Sequence, residues 1–241
     1  MRQNTNARLT RRAILGALTA VGGAAIAGAC GTAAAPTTPS SSSTSTGDAS
    51  GGTTNGACAV IPSETEGPYP DRTGMIDTPA FYRQDITEGK PGTPLTLALT
   101  VVSVANGCTP VANATVEVWH CDHTGGYSEY TTSGTAMRGL QKTDGNGRAT
   151  FTTIYPGWYQ GRATHVHLDV FVNGASVKTT QMAFPEDVTA AVYAQRVYAS
   201  RGQNPTTNSR DNVFADGVSS ELASMTGSAS AGYTASLQIG V

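Results

Sequence analysis

Charge is sparse in this chain: Asp, Glu, Lys and Arg make up 13% of its 241 residues and leave a formal net charge of -2. No basic stripe remains once the N-terminal segment is set aside, which excludes the electrostatic footprint of a nucleic-acid-binding protein. Long apolar runs are missing as well. The most apolar stretch, in "TRRAILGALTAVGGAAIAGAC" (10–30), is too short and too rich in Gly and Ala for a stable membrane-spanning helix. Cysteine is limited to Cys30, Cys58, Cys108 and Cys121, with no C-x-x-C pattern, which excludes the common thiolate zinc sites. No internal repeat is evident.

What is present divides the chain into three parts. Residues 1–30 have the build of an export signal: the pair Arg11 and Arg12 precedes the apolar run, a start that resembles a Tat signal. Its end, "IAGAC", makes Cys30 a candidate for lipidation, with simple cleavage near the same place as the alternative, so the protein is expected to be exported, either extracellular or lipid-anchored on the outer face of the cell membrane. Residues 31–57 are Ser, Thr, Gly and Ala with almost nothing to bury, and are expected to be a disordered tether. Residues 58–241 are the size of one domain with a sizeable core. In an oxidising compartment two of the three remaining cysteines can pair. Cys58 at the domain's start and Cys108 in the turn "NGCTP" form the favoured pair, which leaves Cys121 as the odd one.

The domain reads as an all-β sandwich with one short helix near its C-terminal third. "TPLTLALTVVSV" (93–104) alternates in strand fashion and is closed by the turn "ANGCTP". "ATVEVWHC" (114–121) alternates again, which predicts an antiparallel pair. "TDGNGRATFTTI" (143–154) is a Gly-rich turn and a strand; it lacks the terminal acid of a calcium loop and reads as a hairpin turn. "THVHLDVFVNGASVKTTQMAF" (164–184) gives two strands around Asn173-Gly174. "EDVTAAVYAQRVYAS" (186–200) reads as helix, with Val188, Val192 and Val197 on its apolar side, and "GYTASLQIGV" (232–241) as a last strand.

Within "YPGWYQGRATHVHLDV" (155–170), His165 and His167 are two apart on a strand, so their imidazoles share a face and can grip one metal ion. The pair alone is also common on sheet surfaces. Its company is more telling. Tyr159 follows a Pro-Gly turn just ahead of the strand, and Tyr127 sits in the Gly-rich loop "HCDHTGGYSEY" after the strand carrying Trp119. Tyrosines at strand ends also pack half-buried for purely structural reasons. Asp169 shares the face of the histidines, which keeps open a two-His, one-carboxylate Fe(II) site.

Taken in order, "TEGPYP", "VEVWHCDHTGGYS", "TDGNGRATFTTIYPGWYQGRATHVHLDV" and "KTTQMAF" resemble the successive motifs of the intradiol ring-cleavage dioxygenases, over nearly the whole domain. The resemblance is nearest to secreted actinobacterial and fungal-type members. It implies a β-sandwich core, a non-haem Fe(III) cofactor and cleavage of catecholic rings with O2 to cis,cis-muconate-type diacids. It further implies that Tyr127, Tyr159, His165 and His167 are the metal ligands, that Tyr159 also takes part in catalysis, and that Arg162 and Gln181 lie beside the substrate. His120 and His123 fall on no ligand position and are expected to serve strand-end packing and loop surface. Tyr130 competes with Tyr127, and the Gly-Gly-Tyr-Ser context favours Tyr127. Tyr155 and Trp158 are expected either to flank the substrate or to cover the sheet. Only "QGRAT" separates Tyr159 from His165, a shorter connection than the large cytoplasmic catechol and protocatechuate enzymes lead one to expect. The helical segment that pairs subunits in the catechol enzymes has no counterpart here, so a monomer with an open site is expected. The rival reading is a non-catalytic cell-surface β-sandwich module of the transthyretin or carboxypeptidase-regulatory kind, which would have no use for this set of side chains together.

Overall fold

The computed structural model describes residues 58–241. The expected export signal, the lipidation candidate Cys30 and the tether lie outside the described residues. Nine strands and one α-helix follow in order: β1 Pro94–Ser103, β2 Thr109–Pro110, β3 Thr115–Trp119, β4 Arg138–Lys142, β5 Arg148–Ile154, β6 His165–Val172, β7 Ala175–Ala183, α1 Glu186–Tyr193, β8 Ser224–Ser228 and β9 Gly232–Gly240. Two sheets form. In one, β1 is paired to β2 and β5 along one edge and to β9 along the other, with β8 beyond β9; the second has the order β4-β3-β6-β7.

The core lies between the sheets and follows the two-residue period. Leu95, Leu97, Leu99 and Val101 of β1 point inward, with Thr96, Ala98 and Thr100 on the opposite face. They meet Val116 and Val118 of β3 and Val166, Leu168 and Val170 of β6, all fully buried. Each such side chain contributes roughly 1.5–3 kcal/mol by leaving water. Strands β3 and β6 are buried on their other face too. That face carries Glu117, Trp119, His165, His167 and Asp169, and residues 61–70 cross it: Glu64 N–H donates to Thr179 O at 3.0 Å and Arg138 Nη2 to Tyr69 O at 2.9 Å.

Three expectations hold and three are corrected. Asn173 and Gly174 close the β6–β7 hairpin with φ of 53° and 80°, the paired positive φ that a two-residue turn needs. "TDGNG" is a hairpin turn in which Asp144 Oδ1 accepts from the N–H groups of Asn146 and Arg148. Cys58 and Cys108 form a disulfide, and Cys121 is free and buried.

The predicted pairing of 93–104 with 114–121 does not occur. After the turn the returning chain pairs with β1 over only the two residues of β2, where Pro110 has no N–H to extend the ladder, and then crosses to the other sheet, where β3 lies between β4 and β6. Strands β4 and β8 were not anticipated. The helix ends at Tyr193 rather than continuing to residue 200, because Tyr198 must turn into the core, where its hydroxyl donates to Tyr155 O at 2.7 Å. Tertiary packing outweighs periodicity there.

Candidate metal centre

His165 and His167 leave the same face of β6, as their spacing requires, and antiparallel register lines up Trp119, His167 and Gln181 across three strands. The two Nε2 atoms are 3.1 Å apart, with their rings nearly perpendicular. Tyr127 Oη lies 3.5 Å and Tyr159 Oη 3.4 Å from His165 Nε2. Two phenols and two imidazoles thus direct a donor atom each at one small volume, although they come from a loop, a turn and a strand.

Glycines let these segments approach. A side chain at Gly125 (φ 84°) would stand 2.2 Å from Trp158 O, and one at Gly157 2.6 Å from Asp122 O, so the Tyr127 loop and the turn before Tyr159 touch backbone to backbone. Gly67 (φ 70°) passes over the His167 ring, where a Cβ would be 3.0 Å from Cε1. The rings are packed from outside: Trp119 stacks on His167 at 4.7 Å and 5°, and Tyr69 on Tyr127 at 4.5 Å.

The protonation states suit a metal. His165 Nδ1 lies 2.6 Å from Ala163 O, which only accepts, so the proton sits on Nδ1 and Nε2 presents a lone pair to the cluster. Burial, reinforced by the Arg162 guanidinium, pushes His165 down to about 3. Burial likewise holds His167 well below the usual imidazole range, so both rings are neutral and able to donate to a metal. Burial raises Tyr127 and Tyr159 above the ordinary phenol range. Neither becomes a phenolate here unless a strong cation stands beside it, and a ferric ion would supply one: two phenolates offset two of its three charges. The buried Nδ1 of His167 has no hydrogen-bond partner, an orphaned polar atom on one of the four converging side chains. The donor set fits a hard, high-valent metal.

Arg162 and Gln181 are brought to the same place. Arg162 Nη1 is 3.5 Å from His165 Nε2, and its Nη2 donates to Gln181 Oε1 at 2.5 Å. Gln181 Nε2 donates in turn to Thr65 O, tying "TEGPYP" to the site. The decoys separate cleanly. His120 is buried packing, bonded to Cys121 O and Thr153 Oγ1. His123 is half-buried against Tyr198 rather than on the surface. Tyr130 donates to Pro70 O. Tyr155 belongs to the core, its hydroxyl 2.7 Å from Thr189 Oγ1, and Trp158 packs under Arg201. Asp169 stands one rung further along β6, opposite Glu117, and accepts from Ser176 Oγ at 2.7 Å. It does not complete a facial triad with the two imidazoles.

Glu117 and Asp169 line a cavity of about 300 Å³ together with Glu66, Asp71, Pro70 and Trp119. Burial, then Asp71 and Asp169, push the Glu117 carboxyl up to about 8, and burial raises Asp169 to about 6. Sequence reading missed this acidic neighbour, along with Trp119, Tyr69 and Gly67 as supports of the ligands. It also missed Asp211, whose two carboxylate oxygens share the Nε–H of Arg162. Only "TEGPYP" carried a local signal, and that signal was motif order.

Residues 65–211 match the family model described as "Dioxygenase", Dioxygenase_C. Among solved structures, the chain is similar to the intradiol ring-cleavage dioxygenase from Tetranychus urticae, at 26% identity and a TM-score of 0.68 over 76% of this chain and 94% of that one. It is also similar to the dioxygenase domain of a dioxygenase carbohydrate-binding protein fusion from Streptomyces sp. SirexAA-E, at 27% identity and a TM-score of 0.58 over 76% and 98%. A curated relative, catechol 1,2-dioxygenase 2 of Acinetobacter lwoffii, is 34% identical across 32% of this chain, and the match spans only 36% of that relative's length.

Proposed function

The chain belongs to the intradiol ring-cleavage dioxygenase family, and from that membership we propose that it is an exported non-haem Fe(III) enzyme. Its reaction would open catecholic rings with O2 between the two hydroxyl-bearing carbons. The observation that carries the reading is the convergence of Tyr127, Tyr159, His165 and His167 beside Arg162 and Gln181. Both atoms of O2 end in the product, a cis,cis-muconate-type diacid, so the balance needs no external reductant.

Tyr127, Tyr159, His165 and His167 would hold a ferric ion, which would supply Lewis acidity and an electron acceptor for the catechol ring. The residues divide the remaining work. Tyr127, 1% exposed and stacked under Tyr69, is the fixed phenol. Tyr159 is less buried and borders the exposed Gln160 and Gly161, so it is the side chain free to swing out, its phenolate Oη taking one catechol proton and leaving as the neutral phenol. Arg162 presents Nη1 to the volume the ring would occupy and stabilises negative charge that develops there. Gln181, fixed by Thr65, holds the guanidinium's other arm. The five-residue connection between Tyr159 and His165 supports an open site suited to bulky or varied catechols. Arg11, Arg12 and the apolar run after them support export, with Cys30 as a lipid anchor.

The test is a visible spectrum of the purified full chain loaded with iron and titrated with catechol under nitrogen. Tyrosinate-to-Fe(III) charge transfer is expected to colour it wine-red, the band moving to longer wavelength as catechol chelates, and air then yields the diacid. Tyr159→Phe is expected to keep iron and lose most turnover. A colourless iron-loaded protein refutes phenolate ligation, and a protein that takes up no iron supports the non-catalytic module instead.

A further inference from the structure

Arg162 spreads its guanidinium over three neighbours. Nη1 faces the donor cluster, Nη2 meets Gln181, and Nε donates to both oxygens of Asp211, at 3.0 and 2.8 Å. Asp211 arrives from 49 residues further along the chain, and its side chain is wholly buried. It is held in turn. Oδ2 accepts the N–H of Ala163 at 2.7 Å and Oδ1 that of Val213 at 2.9 Å. The Ala163 carbonyl is the group that fixes the His165 proton on Nδ1. One carboxylate therefore grips the arginine and the backbone N–H of Ala163, the residue whose carbonyl orients His165.

We infer that Asp211 is a positioning residue for ring cleavage: it sets the rotamer of Arg162 so that Nη1, and not Nε, faces the substrate. The inference rests on the proposed placing of Arg162 beside the catechol. The physical case is one of degrees of freedom. An arginine side chain has many rotamers, and a guanidinium displaced by about 1 Å loses much of its effect on charge developing in a transition state. Asp211 removes that freedom with a charge-assisted, bifurcated bond from the one Nε–H, and Phe214, its ring centroid 5.8 Å from the guanidinium carbon, closes one side. It also keeps the cation paired in a site where 12% exposure gives it little water.

The experiment compares full-length wild type, Asp211→Asn, Arg162→Gln and the double variant, each loaded with iron. Asp211→Asn is expected to keep the resting charge-transfer band in place while kcat falls about ten- to a hundredfold and KM changes less. The double variant is expected to be no slower than Arg162→Gln alone, because a residue acting through another has no effect once that other is gone. Losses that multiply, or an Asp211→Asn kcat within twofold of wild type, overturn the inference. So does loss of the resting band, which would make Asp211 a support of the metal cluster instead.

A second readout needs neither iron nor turnover. In proton–nitrogen spectra of the metal-free protein, the Arg162 Nε–H signal, assigned by its absence in Arg162→Gln, is expected to resist solvent exchange in wild type and to lose that protection in Asp211→Asn. Undiminished protection counts against the link even if wild type proves inactive. A colourless or inactive wild type, in contrast, sinks the proposed reaction. If Asp211→Asn fails to fold, Asp211→Glu, which displaces the carboxylate by one methylene, is expected to retain the band and lower kcat, and wild-type kcat there overturns the inference.

Discussion

Glu117→Gln should make the protein more stable, and more so as the pH rises. Glu117 sits on β3 directly opposite Asp169, 6% exposed and in a cavity shared with Asp71 and Glu66. Like charges facing each other across a ladder repel, and a buried carboxylate lacks solvation. Burial first, then those neighbours, raise the carboxyl from 4.5 to about 8. Between these values the folded state holds a proton that the unfolded chain releases. The acid's contribution is complete below pH 4.5 and is lost as pH climbs toward 8, at about 1.4 kcal/mol per pH unit. Over that window the loss is on the order of 4 kcal/mol.

Glutamine has the shape of the protonated acid and nothing to release. Urea unfolding of the iron-free full chain at pH 5 and pH 8 is the assay. Wild type and variant should nearly coincide at pH 5, and the variant should lead by roughly 2–4 kcal/mol at pH 8. Parallel pH profiles for the two proteins, or a variant less stable at pH 8, would refute the reasoning, the first by showing Glu117 ionised at no cost.

Two further outcomes are expected. Gly67→Ala combines a strained positive φ with a Cβ 3.0 Å from His167 Cε1; it should cost about 1 kcal/mol of stability and shift the charge-transfer band of the iron-loaded protein, and an unmoved band would show that the ring gives way freely. Replacing both Cys58 and Cys108 with serine opens a bridge across 50 residues; the loss in unfolding free energy should approach about 4 kcal/mol, with the visible spectrum unchanged because the bridge lies apart from the ligands.

Local period was enough to recognise most strands and the Asn173-Gly174 turn, because alternation and turn chemistry are written within a few residues of each other. It does not name a strand's partner. β1 and β3 both alternate, yet they lie in different sheets, and the choice was made by Pro110 and by sequences more than a hundred residues away. The helix fell short for a similar reason, since Tyr198 had somewhere better to go. His165 and His167 were legible through strand parity, and the tyrosines through the motifs around them. Trp119 against His167, Tyr69 against Tyr127 and Asp211 on Arg162 join distant segments, and no pattern around any one of those residues reports its partner.

The parallel pairing of β1 with β9, from Leu95 opposite Tyr233 to Val102 opposite Gly240, makes the order of synthesis matter. The first long strand to emerge has to wait through some 130 residues of translation, with one flank unpaired, before its central neighbour exists. The sheet that carries His165 and His167 has all its strands earlier, when β7 is made. A nascent chain therefore passes through a stage in which every strand of that sheet has been made but the opposing layer is still open, and that exposed β1 edge is where chaperones, or self-association, would find it.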